Sequence, residues 1–200
     1  MVVLVALNYL GVLLMTDPKL MELEQLPLSS NAFSLFGDVV CGDSDSSDFM
    51  NGSAFERFLD LAQVDIGDPT LNRVQINIVE CKQPQGFPFL LGAMECHPNS
   101  SQLFFPLFDH DYLVAVAPAG QGIDRDGVRL FKATANQGVN YHRGVWHMPM
   151  LGIAKGDRFL MVERNNMNAN CEVIHFDGYQ VKIELPSSLK KSKLTLSEDT

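Results

Sequence analysis

Apolar and polar positions alternate over short stretches along most of this chain, and turn residues interrupt them roughly every ten residues. Val74-Gln75-Ile76-Asn77-Ile78-Val79 alternates as a strand with one buried face does. Phe89 to His97 and Leu103 to Phe108 flank a turn made of Pro98, Asn99, Ser100 and Ser101. Tyr112 to Ala117 is an unbroken run of β-formers, ended by Pro118-Ala119-Gly120. Val128 to Ala133, Val139 to Tyr141, Met150 to Ala154 and Arg158 to Glu163 follow as further strands, each bounded by Gly, Asp or Asn. Cys171 to Phe176 and Tyr179 to Leu185 close the series. Many short strands with regular turn signals predict a mainly β domain, closed into an antiparallel barrel or sandwich, with a few short helices.

The first part of the chain reads differently. Ser29-Ser30-Asn31 before Ala32-Phe33-Ser34-Leu35-Phe36, closed by Gly37, predicts a short capped helix. Cys41 to Met50 is acidic and Ser-rich and reads as a loop. Phe55 to Ile66 fits strand or helix equally well, and Gly67-Asp68-Pro69 ends it. Met1 to Met15 is almost wholly apolar, yet short for a membrane span. No Lys or Arg precedes it and no small-residue cleavage site follows, so a signal peptide is not expected. We expect residues 1–20 to be an N-terminal extension, 21–185 a single domain, and 186–200 a polar flexible tail. The Asn-rich stretch Asn165 to Asn170 is expected to be a loop over a pocket mouth or at an interface.

Composition narrows the class. Over 200 residues, 46% are apolar and 20% charged, which supports one domain with a sizeable core. The formal charge of −9 argues against nucleic acid and anionic membrane as partners. The four cysteines, Cys41, Cys81, Cys96 and Cys171, lack metal-finger spacing and are expected to be free thiols in a reducing cytoplasm. Phosphate-loop, dinucleotide and nucleophile-elbow motifs are absent, so no organic cofactor is expected.

Candidate chemistry lies in two segments. In Glu95-Cys96-His97, alternation puts the carboxylate and the imidazole on one face and sends Cys96 into packing. Gln102 follows the turn, and His147 comes after a Gly144-x-x-His147 turn. Glu95, His97, Gln102 and His147 can thus converge from different strands. Imidazole, carboxylate and amide oxygen together suit one divalent ion such as Ni, Mn or Zn, with positions left open for substrate. With one anionic ligand, such a site keeps a net charge near +1 and favours an anionic, chelating small molecule. His142 is expected to be a substrate contact or structural. Arg57 and Arg143 each read as a bidentate carboxylate clamp or as a surface ion pair. Trp146, the single Trp, reads as a core or pocket wall.

These segments resemble the ureidoglycolate lyase family. The likeness runs from Met21 to about Phe176. It is carried by Leu26-Pro27-Leu28, Phe33-x-x-Phe36-Gly37-Asp38-Val39, Asn51-Gly52 with Glu56-Arg57-Phe58, Glu95-x-His97-Pro98-x-x-x-Gln102, Gln137 to His147 with Pro149, and Asn170-Cys171. The resemblance implies a cupin-like barrel, a homodimer, and cleavage of (S)-ureidoglycolate to glyoxylate and urea in allantoin breakdown. It implies Glu95, His97, Gln102 and His147 as the metal-binding or polarising set, with Asn51, Arg57, Arg143 and Trp146 as substrate contacts. Two departures stand out: Glu80 lies where the family pattern has an Arg, and Met148 lies where some relatives have a second His.

Such a cleavage takes a proton from the hydroxyl of a carbinolamide and returns one to the departing urea nitrogen. With a metal on the set, His142 or Tyr141 is the expected proton-transfer residue. Without one, His97 and His147 form the acid/base pair, and Arg57 or Arg143 holds the carboxylate. An amidohydrolase acting on the same substrate and a non-catalytic barrel that binds a small acid are the competing readings.

Overall fold

The computed structural model describes residues 18–43, 46–165, 170–186 and 188–189. The apolar N-terminal run, most of the Asn-rich loop and nearly all of the polar tail therefore lie outside the described residues. The strands are β1 (Lys19–Glu22), β2 (Gln25–Pro27), β3 (Gly37–Val40), β4 (Ser47–Met50), β5 (Phe55–Phe58), β6 (Val74–Glu80), β7 (Phe89–Leu91) and β8 (Ala93–Cys96). They continue as β9 (Gln102–Pro106), β10 (Tyr112–Ala117), β11 (Arg129–Ala133), β12 (Gly138–Tyr141), β13 (Trp146–His147), β14 (Arg158–Arg164), β15 (Glu172–His175) and β16 (Tyr179–Ile183). A short helix, α1 (Ser30–Phe33), is capped by Ser29, whose hydroxyl accepts from Ala32 N. Among the described residues no helix is long and apolar enough to cross a membrane.

Two large sheets form the body. One runs β15-β8-β13-β10-β11-β2, the other β3-β12-β9-β14-β6. A third sheet, β1-β16-β7, and the β4-β5 hairpin complete the fold. All pairings are antiparallel except β1 with β16 and β2 with β11. This is the expected mainly β, cupin-like architecture, and β1 starts at Lys19, two residues before the boundary expected at Met21.

β10 explains how the layers hold together. All six of its residues are buried, as a continuous apolar run requires. Tyr112, Val114 and Val116 face a first core with Val39, Phe104, Val139, Tyr141 and Phe159 of the opposite sheet, and with Phe33 of α1. Leu113, Ala115 and Ala117 face a second core with Leu91, Val181 and Ile183 of the third sheet. β10 therefore belongs to two interiors at once. Gly37 sets how closely β3 approaches β12, since a Cβ there would lie 2.0 Å from the Asn140 carbonyl oxygen.

Three sequence expectations are corrected. The Cys41 to Met50 loop ends in strand, because Asn51-Gly52 turns the chain with φ of 52° and 66° and pairs β4 with β5. Met150 to Ala154 is not a strand. There the Asp157 carboxylate accepts from both Ile153 N and Ala154 N, so a side chain replaces a ladder partner. β6 alternates as expected but with the opposite facing. Val74, Ile76 and Ile78 are exposed, while Gln75 and Asn77 on the other face are partly buried.

Phe33 is fully buried and meets Phe131 edge-on at 5.4 Å. Phe33→Ala should cost about 3–5 kcal/mol, the range for emptying a large aromatic site, read as a lower urea midpoint with an unchanged slope.

Candidate active site

Glu95 stands opposite His147 in the β8–β13 pairing, and His147 stands opposite Val116 of β10. His97 follows the end of β8. Its carbonyl accepts from Gly144 N at 2.9 Å, which ties the 142–145 turn to the site. Gly144 has a φ of 75°, a left-handed conformation suited to glycine. From the facing sheet, Gln102 opens β9 opposite Tyr141 of β12. Tyr141 lays its ring on His147 at 4.2 Å and 9° between planes.

The two imidazoles are held the same way. His97 Nδ1 donates to the Asn170 carbonyl at 2.6 Å, and His147 Nδ1 donates to the Val145 carbonyl at 3.0 Å. Each ring is thereby fixed with its Nε2 left for another partner. Both Nε2 atoms are buried without a hydrogen-bond partner, and so is Gln102 Oε1. Ligand atoms of Glu95, His97 and His147 lie within 4.8 Å of one another. Two buried orphan imidazole nitrogens beside a carboxylate fit a divalent cation, since each unmet acceptor costs free energy that a ligand bond recovers.

Charges agree with that fit. Burial, reinforced by the nearby His97 and partly opposed by the Val145 carbonyl, pushes His147 down to about 3. It is neutral at pH 7, the form that binds metal. Its 3.7 Å approach to Glu95 Oε1 is thus not an ion pair. Burial, then the Glu95 charge, raises Tyr141 well above its usual range, so its phenol stays protonated. The other Glu95 oxygen faces the exposed Cys171 thiol at 3.8 Å. All four cysteines are free.

The remaining expected contacts fall elsewhere. Arg57 pairs bidentately with Asp48 on the exposed β4–β5 hairpin, and Asn51 forms its tip. Trp146 is buried in the second core and donates to the Gly120 carbonyl, so it points away from His147, its neighbour on a strand. His142 follows Tyr141 and takes the opposite face, where its Nε2 meets Asp38 at 3.0 Å. Arg143 clamps Asp65 bidentately, and the two line a surface cavity of about 300 Å³ with Gln63, Ser101 and His142. Glu80 is held by Lys82 and Arg158, whose hydrogen bonds keep its carboxyl below the usual range. Sequence reading missed Asn170, which is fully buried. It orients His97, accepts from Asn99 N and donates to Ser100 Oγ. Its one signal was its place in the Asn170-Cys171 pair.

Fold and site together define a cupin-like β protein with a candidate Glu-His-His metal centre between two sheets. The comparisons with known proteins narrow this class. The ureidoglycolate lyase family model matches residues 20–184. The ureidoglycolate lyase of Pseudomonas syringae pv. tomato is 39% identical over 154 residues, covering 77% of this chain and 89% of that protein. Those of Pseudomonas savastanoi pv. phaseolicola and Pseudomonas putida are 37% and 39% identical, each aligned over 95% of its own length. This chain belongs to the ureidoglycolate lyase family.

His147 makes a pH prediction for the metal-free protein. Its folded value of about 3 lies below the ordinary 6.5. The unfolded chain therefore takes up a proton below pH 6.5 that the folded chain refuses until about pH 3. Stability should be full above pH 6.5 and fall as the pH drops toward 3. Urea unfolding between pH 7 and 4 should show this fall, and His147→Gln should flatten it.

Proposed function

We propose that this protein is a carbon–nitrogen lyase that splits (S)-ureidoglycolate into glyoxylate and urea, in allantoin breakdown in the cytoplasm. Membership of the family supports the reaction. The observation that carries the site assignment is the convergence of two carbonyl-anchored imidazoles on Glu95.

Glu95, His97, Gln102 and His147 would hold one divalent ion. When bound, that ion supplies Lewis acidity, which lowers the pKa of a coordinated hydroxyl. The chain's own groups do the rest. The Glu95 oxygen turned away from His147 takes the hydroxyl proton. The oxygen's electron pair then forms the aldehyde C=O, and the C–N bond breaks. The Tyr141 phenol, kept protonated by burial, gives a proton to the departing urea nitrogen. The proton taken by Glu95 returns to the Tyr141 phenolate as the products leave, so the cycle closes, and water is not consumed. Positioned acid/base groups of this kind are worth about 10²–10⁴-fold each.

Chelator-treated protein should release little urea from (S)-ureidoglycolate and regain turnover with Ni, Mn or Zn, without ammonia. Ammonia release would replace the lyase with an amidohydrolase. Metal-independent urea release would return proton transfer to the His97–His147 pair. His147→Ala should lose nearly all turnover while staying folded by circular dichroism, and wild-type turnover in that variant overturns the site.

The reading extends to a homodimer. It is supported by the exposed row Val74, Ile76 and Ile78 on β6, an edge strand. Ile76→Glu with Ile78→Glu should give a folded monomer in sedimentation experiments. A variant that still sediments as a dimer moves the interface elsewhere.

A further inference from the structure

Glu163 lies in β14, is 6% exposed and has both carboxylate oxygens engaged. One accepts from Gln102 Nε2 at 3.1 Å, the other from Asn77 Nδ2 at 2.9 Å. Asn77 Oδ1 in turn accepts from Gln75 Nε2 at 3.0 Å. The donors therefore run toward one sink, from Gln75 through Asn77 to Glu163 and from Gln102 to Glu163. This is also why the polar side of β6 faces inward. An amide has one NH₂ and one oxygen. With Gln102 Nε2 committed to Glu163, and with Met161 Sδ beside it at 3.9 Å, Oε1 must point the other way. Oε1 is the buried atom that has no partner. A flipped amide would set its oxygen against a carboxylate.

We propose that Glu163 is a positioning residue: it fixes the Gln102 amide with its oxygen free for the ligand set of Glu95, His97 and His147. The inference rests on the metal-site reading above. A carboxylate is needed because two amide donors converge on it. A glutamine there has one acceptor oxygen, so either Asn77 or Gln102 must turn.

The test is a double-mutant cycle of Glu163→Gln and Gln102→Ala on chelator-treated protein, titrated with Mn²⁺ alone and followed by the free-Mn²⁺ electron spin resonance signal. Each single variant should weaken binding about 10–100-fold, the usual effect of disturbing a ligand's outer partners. The double variant should be no weaker than the weaker single one. The Co²⁺ absorption spectrum should change alike in all three. Losses that multiply would mean Glu163 acts through its charge or through general stability, and they overturn the proposal. Wild-type Mn²⁺ affinity in Glu163→Gln overturns it equally. If the wild-type protein binds neither Mn²⁺ nor Ni²⁺, the metal reading falls by itself, and the cycle is read on turnover of ureidoglycolate. A non-additive fall in kcat with KM unchanged then upholds Glu163 as the positioner of Gln102. Additive or absent losses, or a wild-type chain without turnover, overturn it.

Discussion

Two imidazoles anchored through Nδ1 to backbone carbonyls are the constraint on which the site depends. Each anchor commits Nδ1–H to a peptide oxygen and leaves Nε2 for another partner. The Nε2 atoms and Gln102 Oε1 are buried with no hydrogen-bond partner in the protein. The surrounding structure must hold these groups in place. It does so with β10, whose six buried residues lock three layers together beside His147, and with the Tyr141 ring stacked on His147. The anchors of the site are main-chain atoms, and buried Asn170 fastens the His97 segment through Asn99 N and Ser100 Oγ.

The strand interior was the legible part of this fold. The runs at Tyr112–Ala117, Leu103–Phe108 and Arg158–Glu163 became β10, β9 and β14 because a short apolar run bounded by turn residues leaves few alternatives. The site quartet was legible for a related reason. Glu95 and His97 share a face by alternation, and His147 follows a turn that its glycine marks. Facing was not legible. Val74-Gln75-Ile76-Asn77-Ile78 alternates equally well either way, and the need of Glu163 for amide donors turned the polar side inward. Short or irregular segments failed too, since β4 and β5 are defined by one Asn-Gly turn, and Met150 to Ala154 lost its ladder to a single Asp157 carboxylate. Asn170 and Glu163 act through tertiary contacts 73 and 61 residues away in sequence, beyond any local pattern.

Alternation also sorts chemistry from scaffolding at the level of single residues. In Tyr141-His142 and Trp146-His147 one neighbour faces the site and the other faces away. Tyr141 and His147 stack on each other. His142 goes to Asp38 on the outer face, and Trp146 to the second core. Residue type alone would rank His142 as the better proton carrier and Trp146 as a substrate platform. Position reverses that ranking, because a side chain on the wrong face of a strand cannot reach the interior, however apt its chemistry.

The electrostatics follow from the same geometry. Charged side chains at the surface are already paired: Arg57 with Asp48, Arg143 with Asp65, and Glu80 with Lys82 and Arg158. Glu80, the departure from the family pattern, is thereby balanced by two cations and presents little net repulsion. The proposed ligand set has one carboxylate, Glu95, beside two imidazoles and an amide, and the buried Glu163 carboxylate stands behind that amide. A divalent ion on that set would outweigh the Glu95 charge and offer open positions to an anionic ligand in a poorly screened space. A small hydroxy acid answers it with a carboxylate and an adjacent hydroxyl on the same carbon chain. On the proposed metal reading the attraction for an anionic ligand would arise inside the barrel, which is compatible with the acidic exterior of the protein.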